Sequence, residues 1–156
     1  MKRTDFIEYY KKSCYPMEVL MKLAPLEDLD WKPREDAWTL AQLLEHSAIT
    51  PRPLLHLIRN DWPASHSAPP KGKTGPDACT LFKQNKEETL AALEGLSDDD
   101  FLNRPASTPF GFEGTLANLL QVMTDHQSGH KTELYMYLKM IGVPVNTATL
   151  YMGKTQ

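Results

Sequence analysis

Apolar residues recur at helical spacing in four stretches of this chain, separated by polar stretches rich in proline and glycine. Repeats at i, i+3, i+4 and i+7 mark the buried stripe of an amphipathic helix. Phe6, Tyr9, Tyr10, Ser13, Met17, Leu20 and Ala24 outline the first, with Thr4 as its expected cap. Pro16 falls inside it and predicts a kink or a division near the middle. The second begins at Thr39, where Thr39 and Gln42 form a T-x-x-Q capping box. Its face carries Leu40, Leu43, Leu44, Ser47, Leu54, Leu57 and Ile58, and Pro51 and Pro53 predict a bend or short break. The third runs from Asp77, a good cap after Gly75-Pro76, through Leu81, Phe82, Asn85, Thr89, Leu93 and Leu96. The fourth runs from Thr115 to Ile141 and stops at Gly142 with Pro144 two residues on.

The connections at 27–38, 61–76 and 97–114 are polar. The last two exceed the usual short bundle connection, so at least one is expected to cross an end of the bundle or cover something. No strand-like alternation is sustained. The pattern predicts an all-α four-helix bundle with long connections, formed as a single domain over residues 1–156, with the tail 143–156 unassigned. "TLAQLLEH" at 39–46 and "TLANLLQV" at 115–122 share five of eight positions, as two capped, leucine-rich helices readily do. Helices two and four are thus expected to start alike.

A chain of 156 residues can bury a core without disulfides or structural metal. A formal charge of −3 and a pI near 5.9 argue against a generic nucleic-acid or anionic-membrane surface. No apolar run approaches the ~20 residues of a membrane span. The N-terminal "MKRTDFIEYYKK" carries charges where a signal peptide places its apolar stretch, which makes the cytoplasm the expected location. Cys14 and Cys79 have no CxxC spacing and read as reduced thiols.

The candidate chemistry lies in the histidines. His126 and His130 stand four apart on the fourth helix, a rise of roughly 6 Å and an angular offset of roughly 40°. His130 shares a heptad row with Leu116, Met123 and Tyr137, and His126 shares the companion row with Leu119, so both interrupt the apolar stripe and are expected to face the interior. Two imidazoles so placed serve either as hydrogen-bonded core residues or as ligands to one ion, and spacing alone leaves both open. The residue after the first histidine is Gln127, an amide that cannot take a proton from water, which argues against classical metalloprotease chemistry. Gly129 is unexpected inside a helix; it either admits a close neighbour beside His130 or is merely tolerated. Of the other histidines, His46 borders the seam of the second helix and by periodicity reads as an edge residue. His56 has no readable direction, and His66 in the Pro/Ser-rich linker reads as exposed.

"DWKPREDAWTLAQLLEHS", followed far downstream by "DHQSGHKTELYMYLKMIGVPV", resembles the DinB-like family of bacterial four-helix-bundle proteins over roughly residues 6–145. The resemblance lies in the ordered combination of a tryptophan-containing lead-in, a capped helix ending in histidine, and a last helix with H-x-x-x-H before G-x-P. It implies a metal site formed by His46, His126 and His130, and often a homodimer. Three neutral imidazoles leave coordination positions open, the architecture of a catalytic site. The implied ion is divalent: zinc or nickel first, with iron, manganese and cobalt also accommodated by such ligands. Relatives of this kind include thiol-dependent S-transferases and isomerases that use low-molecular-weight thiols. The implied function is a metal-dependent enzyme on a small molecule, thiol transferase first and hydrolase second. The alternative is a non-catalytic metal-binding stress-response or sensor bundle.

No general acid or base stands out. Asp125 points about 100° away from His126 and reads as a solvated carboxylate; Glu45 and Glu133 are set aside in the same way. Asn118 and Gln127 read as pocket lining, and Tyr135 and Tyr137 as packing. Phe101, Phe110 and Phe112 read as packing under the long loop, ahead of a pocket wall or lid.

Overall fold

Burying the apolar stripes against one another assembles the bundle in a computed structural model that describes residues 1–64 and 68–155; His66 lies outside the described residues. The helices are α1 (Arg3–Leu23), α2 (Leu40–Ala48), α3 (Arg52–Arg59), α4 (Gly75–Glu94), α5 (Asp98–Asn103), α6 (Leu116–Met140) and α7 (Thr147–Met152). A short hairpin, β1 (Pro105–Ser107) and β2 (Glu113–Thr115), precedes α6. α1 packs on α4 and α6, and the α2–α3 pair packs on the same two helices from the other side. The fold is therefore all-α, a four-helix bundle whose second member is broken. Phe6, Tyr10, Phe82 and Phe101 lie in one continuous buried cluster with the leucines of all four members.

Local chemistry explains most boundaries. The Thr39 box closes as expected: Thr39 N–H donates to Gln42 Oε1 at 3.0 Å, and Gln42 N–H donates to Thr39 Oγ1 at 3.2 Å. Thr115 accepts from Asn118 N–H at 3.4 Å, so α2 and α6 do start alike. α4 begins earlier than expected. Its cap is Thr74, and Asp77 occupies the first turn, where its N–H donates to Thr74 Oγ1 and its charge suits the helix dipole. Thr4 is likewise no cap but a residue of the first turn. Arg3, at the helix start, is anchored to Asp98 at 2.8 Å and to the carbonyls of Leu93 and Glu94 at 3.2 Å, which holds the extra residues helical. Pro16 is buried inside an uninterrupted α1, where packing on both sides outweighs one lost hydrogen bond.

The break at Pro51 and Pro53 is real, and α4 accommodates it. Asn85 donates through Nδ2 to Ala48 O at 2.9 Å, and Thr89 donates through Oγ1 to Pro51 O at 3.2 Å. Asn85 thus satisfies a carbonyl released at the break, whereas Pro51 O also accepts from Leu55 N–H at 3.3 Å as α3 begins. The long connections do cover surfaces. Along α2, Lys73 N–H donates to Ala41 O at 3.0 Å, Gln42 Nε2 donates to Pro70 O at 3.2 Å, and Gly72 N–H donates to the Glu45 carboxylate. The second connection holds α5 and the hairpin against α6, and Arg104 donates to the carbonyls of Leu57 and Ile58 at the end of α3.

Three elements depart from the expected pattern. The hairpin pairs only Pro105 with Thr115, Ala106 with Gly114 and Ser107 with Glu113, too short for alternation to register. α5 and α7 are single turns and a half, each started by a cap (Ser97 and Asn146) that is legible once sought. Phe101 packs beneath the long connection as expected, whereas Phe110 and Phe112 are exposed, with Phe110 edge-on to Trp62 at 5.7 Å.

Two glycines make a clean test. A Cβ on Gly75 would collide with the Met21 carbonyl of α1, where α4 starts against it. A Cβ on Gly129 would meet nothing within 4 Å, so no close neighbour explains that glycine. Gly75→Ala is expected to destabilise the fold by about 1–3 kcal/mol or more. Gly129→Ala is expected to stabilise it by up to ~1 kcal/mol. Urea denaturation of the two variants checks both signs.

Candidate metal site

His126 and His130 project from α6, and His46 projects from α2, which packs against it. Each histidine directly precedes a buried polar residue: Ser47, Gln127 and Lys131. A helix turns 100° per residue, so burying those three turns the histidines toward the flank of the seam rather than into it. His46 and His130 are half-buried and His126 is exposed, which corrects the expectation that both α6 histidines face the interior. The centre of the stripe is taken instead by Thr124, Gln127 and Lys131 among the leucines.

The three imidazoles meet. One ring nitrogen from each lies within 4.8 Å of the others, and His46 Nε2 approaches His130 Nε2 to 3.1 Å. The ring centroids of His46 and His126 are 4.5 and 4.6 Å from that of His130, both nearly perpendicular to it. A tetrahedral ion with nitrogen ligands at roughly 2.0–2.1 Å holds those nitrogens roughly 3.3 Å apart, so the donor set fits such an ion.

The proton inventory also fits. His130 Nδ1 lies 2.9 Å from Glu133 Oε2 and donates its proton there, which leaves the Nε2 lone pair facing the other rings. That lone pair accepts from His46 Nε2–H when no cation is present. The Nδ1 of His46 has no partner among the described residues and can carry the proton instead. Burial, then the neighbouring His130 and His126, pushes the His46 pKa down to about 4. Burial, then His130, also lowers that of His126. At neutral pH these two are uncharged and keep the lone pairs a cation needs.

Glu133 is the residue that sequence reasoning set aside wrongly. It lies three positions after His130, one turn on, where side chains share a face, and not one position away. Asp125 does point elsewhere, accepting from Gln121 at 3.0 Å, and the Glu45 carboxylate accepts from the Gly72 N–H. Gln127 does not line the site. It is 2% exposed in the core, accepting from Tyr10 Oη at 3.4 Å and donating to Cys14 Sγ at 3.3 Å. Asn118 lines a separate cleft of about 260 Å³ near Phe6 and Phe101. Tyr135 and Tyr137 are buried, as packing residues should be. His56 pairs with Asp61 at 2.9 Å. Cys14 and Cys79 are both buried free thiols, and burial pushes the Cys14 thiol up to about 11.

Trp38 completes the surroundings. Its indole centroid lies 4.5 Å from that of His46 and 6.3 Å from that of His130. Periodicity could not find it, because it lies in the lead-in before α2; the lead-in itself was the visible signal.

Fold and site together define a class: a broken four-helix bundle with a three-histidine cluster between its second and last long members. The chain matches the DinB superfamily over residues 16–134 and belongs to it. It is similar to the protein YjoA of Bacillus subtilis (strain 168), with 29% identity over 117 residues, 72% of this chain and 73% of that one. The crystal structure of that DinB-like protein superposes with a TM-score of 0.68 at 20% identity, covering 90% of this chain and 96% of its own. A DinB-like protein from Bacillus cereus ATCC 10987 superposes with a TM-score of 0.75 at 14% identity, covering 90% and 95%. At these identities the solved structures establish a shared fold. None of the described helices is long and apolar enough to cross a membrane.

The depressed His46 pKa has a signed consequence for the metal-free protein. Unfolded, His46 takes up its proton near pH 6.5; folded, it does so near pH 4. The unfolded state therefore binds more protons between these values, and stability is lost as the pH falls from about 6.5 toward 4. Chelator-treated protein is expected to show this loss in urea midpoints, and His46→Asn is expected to flatten it.

Proposed function

We propose that the chain binds one divalent ion through His46, His126 and His130 and acts on a small molecule as a metal-dependent enzyme. The observation that carries this reading is the convergence of three ring nitrogens from two separate helices within 4.8 Å. Glu133 holds the His130 proton on Nδ1 and keeps Nε2 free on the side of the other imidazoles, where it would serve as a ligand. The exposure of His126 leaves one side of the cluster open to solvent and substrate. When bound, such an ion supplies Lewis acidity that activates a thiol or a water. Zinc or nickel is the preferred ion, with iron, manganese and cobalt suited to the same ligands. A low-molecular-weight thiol is the first candidate substrate, in a transferase reaction, and hydrolysis is the second. The reading also takes residues 1–156 as one domain, supported by the continuous core, working as a cytoplasmic homodimer.

One observation favours a second reading, a non-catalytic metal-binding sensor or stress-response bundle. Glu133, the carboxylate at the cluster, is already engaged with His130, and Asp125 points away from it toward Gln121.

Protein purified without a histidine tag is expected to carry one divalent ion per chain by elemental analysis. His46→Ala and His126→Ala should each abolish it, and Glu133→Gln should weaken binding about 10- to 100-fold. An ion content indifferent to all three substitutions would sink the site. Chelator-sensitive turnover of a thiol or ester panel selects the enzyme, and metal binding without turnover selects the sensor.

A further inference from the structure

The imidazoles of the cluster are not held alike. His130 is anchored by Glu133 at 2.9 Å, which sets both its tautomer and its ring plane. His46 has no such anchor; among the described residues its hydrogen bonding is confined to the approach to His130 Nε2. The last side-chain torsion of a histidine is broad and roughly two-fold, so an unanchored ring turns. The group that stands against the His46 ring is Trp38, 4.5 Å between centroids and tilted by 49°. The same indole lies 6.3 Å from His130, inclined by 26°. One flat side chain therefore faces a histidine from each of the two helices.

The backbone that carries the indole is itself held. Tyr137 Oη donates to Trp38 O at 3.0 Å. Tyr137 lies seven residues beyond His130, two turns along the same face of α6. Trp31 packs edge-on against the Tyr137 ring, 5.4 Å between centroids at 83°. On the other side of Trp38, the Thr39–Gln42 box fixes the backbone where α2 begins. A line of contacts thus runs from α6 through Tyr137 and Trp38 to the face of His46.

We infer that Trp38, braced by Tyr137, is a positioning residue for the metal site, orienting the His46 imidazole by ring contact where the hydrogen-bonded partner enjoyed by His130 is missing. This rests on the three-histidine reading above. An imidazole that shares its lone pair with a cation is electron-poor and is attracted to an indole face, so the contact favours the metal-bound state over the metal-free one.

The test is titration of Co2+ into untagged, metal-free protein and into Trp38→Leu, Trp38→Phe, Tyr137→Phe, Trp31→Phe and His46→Ala. Tryptophan fluorescence, cobalt d–d absorbance and the melting temperature of each metal-free form are read. Trp38→Leu is expected to weaken binding about tenfold and to alter the cobalt spectrum. Trp38→Phe, which keeps a ring face, is expected to weaken it no more than about threefold. Tyr137→Phe should fall between the two. Quenching on cobalt binding should vanish in Trp38→Phe and persist in Trp31→Phe. A packing role alone predicts lower melting temperatures with affinity and cobalt spectrum unchanged, and that result overturns the inference. If Trp38→Leu does not fold, Trp38→Phe and Tyr137→Phe decide through affinity and spectrum. Cobalt binding that is absent, or unchanged in His46→Ala, overturns the metal reading and the brace with it. Binding abolished by His46→Ala but untouched by Trp38→Leu overturns the brace alone.

Discussion

The rotation of α6 about its own axis is the constraint from which the site follows. Gln127 is buried between Tyr10 and Cys14 of α1, and that contact holds the helix at one angle. Relative to Gln127, residue 126 lies about 100° to one side and residue 130 about 60° to the same side. Fixing one amide in the core therefore presents both histidines along one flank, where α2 packs. An unsatisfied amide in that place would cost roughly 1–3 kcal/mol, so the helix has strong reason not to turn. The residue that removes the protease reading is also the one that orients the pair.

α2 answers with the same logic. Ser47 is fully buried, so His46 is turned out of the core toward α6. The helix is short because Pro51 and Pro53 end it, and Asn85 of α4 takes up the released Ala48 carbonyl. Its beginning is fixed by the Thr39 box and by the strap at 70–73. A short helix held at both ends has little freedom to slide, which keeps His46 level with His130. Glu133 and Trp38 then settle the two rings by different means, one by a hydrogen bond and the other by ring contact.

Much of this was legible in the residues. The four apolar stripes, the Thr39 and Thr115 caps, the break at the paired prolines and the exit at Gly142 all depend on interactions within a few residues. Where the reading failed, something distant had intervened. Arg3 reaches Asp98 and the end of α4, so α1 starts ahead of Thr4. Packing carries α1 through Pro16 without a division. The hairpin has three pairs and no buried face of its own, too little for period-two alternation to show.

At the site the division is sharper. Sequence by itself determined that His126 and His130 share a helix flank four residues apart, because helical geometry is local. It also determined that Gln127 cannot serve as a base, because that is a property of the amide. Periodicity did not select His46, which reads as an edge residue until its place beside α6 is known. Which neighbours complete the cluster was decided by tertiary structure, since His46 and His130 stand 84 residues apart and meet only when α2 and α6 pack. The same packing brought Trp38 over the rings and exposed His126, for contacts between distant helices depend on angles that no local pattern records.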